Sequence, residues 1–151
     1  MNTLIIGYGN RSRTDDGAGW VAVEKLQALN PAGVEFLTTQ QLDIDLAETV
    51  SHCDTVIFVD AATPQSSHPV TRAEVEPKLQ SHAVAHYLTP SDVLAMCHSL
   101  YGRRPRGIFF SIRGYDFNFG TTLTPQTEMA VLEVVREIAQ SLAAAESVCT
   151  R

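Results

Sequence analysis

Apolar residues along this chain fall into two recurring patterns: short continuous runs that stop at a glycine or an acid, and longer stretches at helical spacing. The run TLIIG at 3–7 ends on glycine and suits a buried strand. Ala18, Val21, Ala22, Leu26 and Leu29 then recur every three or four residues, which predicts an amphipathic helix over 16–29. The stretch NPAG at 30–33 closes it. A second strand, VEFLT at 34–38, and a short helix over 42–50 follow. TVIFVD at 55–60 is the clearest buried strand, β-branched and aromatic and ending in an acid. Pro and Ser mark 61–69 as a loop. Alternation at 70–77 predicts a half-exposed edge strand closed by Pro77.

Thr89-Pro90-Ser91-Asp92 is a helix start: a capping threonine, proline at the first helical position, and an acid where a capping box needs it. That helix should run to about Tyr101, with Gly102 as its stop. GIFFSIRG at 107–114 reads as another buried strand, and Thr124-Pro125-Gln126-Thr127 opens a last helix reaching about Ala145. Strands alternating with helices imply an α/β fold, a mostly parallel sheet with helices on both faces and an edge strand at 70–77. Ligands in such sheets bind at the carboxyl ends of the strands, which draws attention to the loops after residues 7, 60 and 113.

Composition fits this picture. The chain has 151 residues, enough for one domain over 1–151 with its own core. Its net charge of -6 argues against nucleic acid or anionic membrane as the main partner. No apolar run approaches the roughly 20 residues of a membrane span. The opening MNTLIIGYGN lacks the basic stretch and long apolar core of a signal peptide, so a cytoplasmic protein is expected. Cys53, Cys97 and Cys149 have no CxxC spacing and read as reduced thiols.

Three residues near the strand ends have the chemistry of a site. Asp16 follows the glycine loop, Asp60 ends the strand TVIFVD, and His86 precedes the helix start at Thr89. Two carboxylates and an imidazole make a mixed oxygen and nitrogen set suited to a borderline divalent ion. Each also has a plainer reading. Asp16 competes with Asp15 as a helix-terminal acid, Asp60 could bond loop amides, and His86 could be a solvated loop residue. The loop GYGNRSRTDDG is not a dinucleotide fingerprint: Ser12 stands where GxGxxG needs glycine, and two acids at the helix start would repel a pyrophosphate. No GxSxG is present, and Cys53 and Cys97 read as packing or surface thiols.

The segment GYGNRSRTDDGAG at 7–19 resembles the N-terminal signature of the hydrogenase maturation proteases. VIFVDAA at 56–62, HYLTPSDVLAM at 86–96 and RGYDFNFGTTLTPQTEMAV at 113–131 are similar to that family's later motifs, in order and at matching separations. The resemblance implies a three-layer sandwich with a twisted five-stranded sheet. It implies an endopeptidase that removes the C-terminal extension of a nickel-loaded hydrogenase large-subunit precursor. Metal recognition and catalysis would fall on Asp16, Asp60 and His86, with nickel carried by the substrate and another divalent metal able to occupy the site in crystals. A monomer that binds neither nucleic acid nor membrane is expected.

The chain departs from the family in two places. Arg11-Ser12-Arg13 replaces apolar residues, which should leave that loop exposed and facing either solvent or an acidic precursor surface. Gln40-Gln41-Leu42 replaces a small Gly-Gly turn. Two other functions stay open on the residues alone: a non-catalytic module that holds the precursor, and a small-molecule hydrolase using the same three residues.

Overall fold

The computed structural model describes residues 2–79 and 88–149. Five strands form one sheet in the order β2-β1-β3-β5-β4. They are β1 (Thr3–Tyr8), β2 (Val34–Thr39), β3 (Thr55–Ala62), β4 (Val70–Val75) and β5 (Arg106–Arg113). The three pairings from β2 to β5 are parallel, and β4 pairs antiparallel with β5 at the edge. The helices are α1 (Ala18–Ala28), α2 (Leu46–Ser51), α3 (Pro90–Tyr101) and α4 (Pro125–Cys149).

Strand alternation divides the core into two layers. Ile5, Ile57, Val59, Ile108, Phe110 and Ile112 face α1 and α4. Leu4, Ile6, Val56 and Phe58 face α2 and α3. Helices therefore cover both faces of the sheet, and the three-layer arrangement expected from the sequence is the one adopted. β4 alternates less deeply because only one neighbour, β5, shields it.

The helix starts differ in how they match expectation. α3 begins with the capping box read from the sequence: Asp92 N–H donates to Thr89 Oγ1 at 3.2 Å, and Thr89 N–H donates to Asp92 Oδ2 at 2.8 Å. Gly102 ends it in the left-handed conformation, φ 67°. The helix expected from residue 16 instead opens as a 3-10 turn, Thr14–Gly17, and becomes α-helical at Ala18. The helix expected from residue 42 starts at Leu46, because Asp43 Oδ1 accepts the Asp45 N–H at 2.9 Å and holds a turn. Leu42 is still buried against the α2 and α3 layer. α4 continues past Ala145 to Cys149, where the run of small residues contains no breaker.

Candidate functional site

The chemistry gathers at the carboxyl ends of β1 and β3, the place the topology favours. β3 presents Val56 and Phe58 to the α2 and α3 layer, and Asp60 shares their two-residue period. β1 presents Leu4, Ile6 and Tyr8 to the same layer. Gly7 pairs with Val59, so Tyr8 and Asp60 come side by side one residue beyond. The Tyr8 hydroxyl donates to the Asp60 carboxylate. The Ala61 N–H donates to Asp60 Oδ1 at 2.8 Å.

Asp16 reaches the same place from the 3-10 turn. Its Oδ2 accepts the Asn10 N–H at 2.6 Å, and its charge acts on Asp60. Burial pushes the Asp60 carboxyl up to about 7; Asp16 adds to the rise, while the Ala61 amide and the Tyr8 hydroxyl work against it. The Tyr8 hydroxyl is in turn held far above the usual phenol range, by burial first and then by the charge of Asp60.

Close backbone packing fixes the two acids relative to each other. A Cβ on Gly19 would strike the Val59 carbonyl oxygen and the Tyr8 backbone, so α1 lies directly against β1 and β3. Gly9 has φ 135°, and a Cβ there would strike the Asp16 carbonyl oxygen. Trp20 Nε1 donates to the Gly9 carbonyl at 2.9 Å and braces the loop from the helix side.

The adjacent acids divide their work. Asp15 is fully buried and points away from Asp60 into the loop after β5. Its Oδ2 accepts the N–H groups of Tyr115 and Asp116 at 2.8 and 3.1 Å and the Thr124 hydroxyl at 2.8 Å. Its Oδ1 accepts the Thr124 N–H at 2.8 Å. Burial alone would raise this carboxyl, but those bonds outweigh it and hold it below the usual carboxylate range. Neither acid caps α1 through its side chain; Asp15 instead ties the start of α1 to the start of α4.

The sequence reading brought Asp16, Asp60 and His86 together. The first two converge, and His86 lies outside the described residues. Among the described residues, no three His, Cys, Asp or Glu side chains are grouped to hold a metal ion. Tyr8 and Asp15 were not anticipated as site residues. Tyr8 carried a signal in strand parity, since it stands two positions after Ile6 on a strand beside TVIFVD; Asp15 carried none that separated it from Asp16.

In the loop of Arg11-Ser12-Arg13, Ser12 and Arg13 are exposed, whereas Arg11 is half-buried. Arg11 pairs with Glu24 at 3.1 Å, and Arg13 lies over the Phe119 ring, 3.9 Å from its centroid. Cys53 and Cys97 are buried free thiols in the core beside α2 and α3, remote from any nucleophilic role. A cavity of about 300 Å³ opens at the opposite end of the sheet, between the strand starts and α4. Thr3, Val34, Ile57, Ile108 and Leu142 line it, and it contains no acid pair of the kind seen at Asp16 and Asp60. Among the described residues no helix is long and apolar enough to cross a membrane.

No protein-family profile and no curated protein matches the sequence. Solved structures match it over nearly its whole length. The hydrogenase maturating endopeptidase HybD from E. coli superposes with a TM-score of 0.74 at 20% identity, covering 96% of this chain and 94% of that one. A solution structure of an endopeptidase from Escherichia coli gives 0.75 at 24% identity, covering 96% and 94%. The [NiFe] hydrogenase maturation protease HybD from Thermococcus kodakarensis gives 0.69 at 24% identity, covering 95% and 99%. The chain has the fold of these endopeptidases.

Proposed function

We propose that this chain is a hydrogenase maturation endopeptidase that removes the C-terminal extension of a nickel-loaded large-subunit precursor. The observation that carries this reading is the convergence of Asp16 and Asp60 at the strand ends, on a fold shared with proteins of that activity. Two carboxylates at close quarters repel, and burial raises the cost of charging Asp60. A divalent cation brought by the substrate relieves both penalties at once, taking the place of the proton that Asp60 otherwise holds. Asp16 and Asp60 supply oxygen ligands, and His86 is assigned the imidazole that completes the set.

Nickel is part of the substrate in this reading, so recognition of the metal doubles as a check that the precursor is loaded. Bound metal polarises the scissile carbonyl toward attack by water. With the cation bound Asp60 is ionised, and the carboxylate is assigned the role of taking the proton from that water and returning it to the leaving nitrogen. Water adds across the C–N bond, giving a new carboxylate on the mature subunit and a free amine on the released peptide. The reaction is assigned to the cytoplasm, with the protein acting as a monomer; a net charge of -6 accords with a protein partner rather than nucleic acid.

The test is a mass measurement of the candidate large subunit, with and without this protein and with and without nickel. Processing is expected only when both are present, and D16N, D60N and H86A variants should leave the extension in place. Cleavage of nickel-free precursor at the full rate, or normal processing by D16N and D60N, would overturn the reading.

A further inference from the structure

The loop between β5 and α4 carries an aromatic side chain that the fold holds out into solvent. Phe119 is 80% exposed, the highest value among the exposed large apolar residues described. Its neighbours on both sides are tied down. The Asn118 carbonyl accepts the Thr14 hydroxyl at 2.7 Å, the Gly120 N–H donates to the Ser12 carbonyl at 3.0 Å, and the Gly120 carbonyl accepts the Thr14 N–H at 2.8 Å. Asp15 fixes the near end of the loop through Tyr115 and Asp116. A single exposed apolar residue is ordinary, but one on a braced backbone has already lost the freedom that binding would otherwise remove.

The charges beside it point to its partner. Arg13 lies over Phe119 at 3.9 Å, and Arg113 lies over Tyr115 at 5.1 Å while its Nε donates to the Tyr115 hydroxyl at 2.8 Å. Among the described residues neither arginine is in an ion pair, whereas Arg11, Arg72, Arg103 and Arg106 each have a carboxylate partner. The chain as a whole is acidic, yet these two guanidinium–aromatic pairs stand on the loops that lead to Asp16 and follow β5. Stacking pre-orients the Arg13 guanidinium and leaves its edge open to a carboxylate, whereas Arg113 also donates from Nη1 to the Ser66 carbonyl at 2.9 Å and is held in place with Nη2 left to contribute charge.

We propose that Arg13–Phe119 and Arg113–Tyr115 form the surface that captures the precursor, by docking a segment that bears a carboxylate side chain beside an exposed apolar one. This rests on the proteolytic reading above and names how its substrate is selected. Phe119 supplies the apolar anchor, Arg13 and Arg113 supply charge and direction, and none of the three takes part in bond cleavage.

The experiment measures processing of nickel-loaded large-subunit precursor by the parent protein and by F119A, R13E and R13K variants, at two salt concentrations. Thermal melts confirm that each variant folds; Phe119 and Arg13 are exposed, so the melts should match the parent. F119A and R13E should each lower kcat/KM about tenfold through KM, with kcat within twofold of the parent. R13K keeps the charge and loses the planar stack, so its loss should be smaller. Parent kcat/KM should fall with added salt, and R13E should flatten that dependence. Folded F119A and R13E variants with parental KM would overturn this proposal while leaving the proteolytic reading intact. A parent protein that cleaves no precursor would remove the proteolytic reading and this proposal together.

Discussion

The hydroxyl of Tyr8 donates to the carboxylate of Asp60 across two neighbouring parallel strands, at the point where Asp16 also acts on Asp60. This bond favours the charged form of a carboxylate that burial and Asp16 drive toward the protonated one. Tyr8→Phe keeps the ring's packing and deletes the donor. The Asp60 titration should move to higher pH, and the pH profile of precursor processing should move the same way. A carboxyl-carbon NMR titration of Asp60 in Tyr8→Phe checks it directly; an unchanged or lower midpoint would contradict this role for the hydroxyl.

Asp60 should weaken the metal-free protein at alkaline pH. Its folded-state value, about 7, lies above the ordinary 3.8, so the folded state holds the proton more tightly than the unfolded chain. The resulting stability is fully present below pH 3.8 and is lost as pH rises through 7. Asp60→Asn removes the titration. At pH 9 the variant should be more stable than the parent by up to about 4 kcal/mol, narrowing toward equality near pH 4, while processing is abolished. Urea unfolding across that pH range is the measurement.

Asp15 and Asp16 are adjacent and should fail in opposite ways. Asp15→Asn turns an acceptor of four bonds into a group that must face donors with an amide, at a cost of about 2–4 kcal/mol in a fully buried position. Asp16→Asn gives up one charge-assisted bond to Asn10, a loss of about 1–2 kcal/mol, and should keep the fold while losing processing. Because the Asp15 carboxyl titrates below its usual range, its stabilisation is present above the unfolded value and disappears as pH falls through the folded one. Denaturant curves at pH 7 and in acid, beside a processing assay, distinguish the two residues.

Gly19→Ala adds one methyl where α1 meets the backbone of β1 and β3. Helix propensity alone would favour alanine by about 1 kcal/mol. The clash is with the Val59 carbonyl and the Tyr8 backbone, which cannot move aside as a side-chain tip can, so a net loss of about 3 kcal/mol or more is expected. The displacement of α1 carries Asp16 with it. Thermal melting should fall by several degrees, and processing should drop more than the stability loss at the assay temperature accounts for.

Much of the fold was legible in the chain because local chemistry and tertiary packing demand the same thing there. TVIFVD can only be satisfied as a strand covered on both faces, and Thr89-Pro90-Ser91-Asp92 caps its helix with its own side chains and needs no distant partner. Where a boundary depended on competing local bonds, as with Asp43 holding the turn before α2, periodicity placed it wrongly by several residues.

The sequence by itself determined the α/β alternation, the two-residue parity that puts Tyr8 and Asp60 on one face, and the presence of acids at the strand ends. Only the tertiary structure decided which of Asp15 and Asp16 is structural and which is chemical. That choice rests on donors about a hundred residues away, on Tyr115, Asp116 and Thr124, whose amides become available to Asp15 once β5 and α1 lie in the same folded sheet assembly. It also decided the protonation behaviour of Asp60, because burial and the approach of Asp16 are properties of packing and leave no mark on the order of residues.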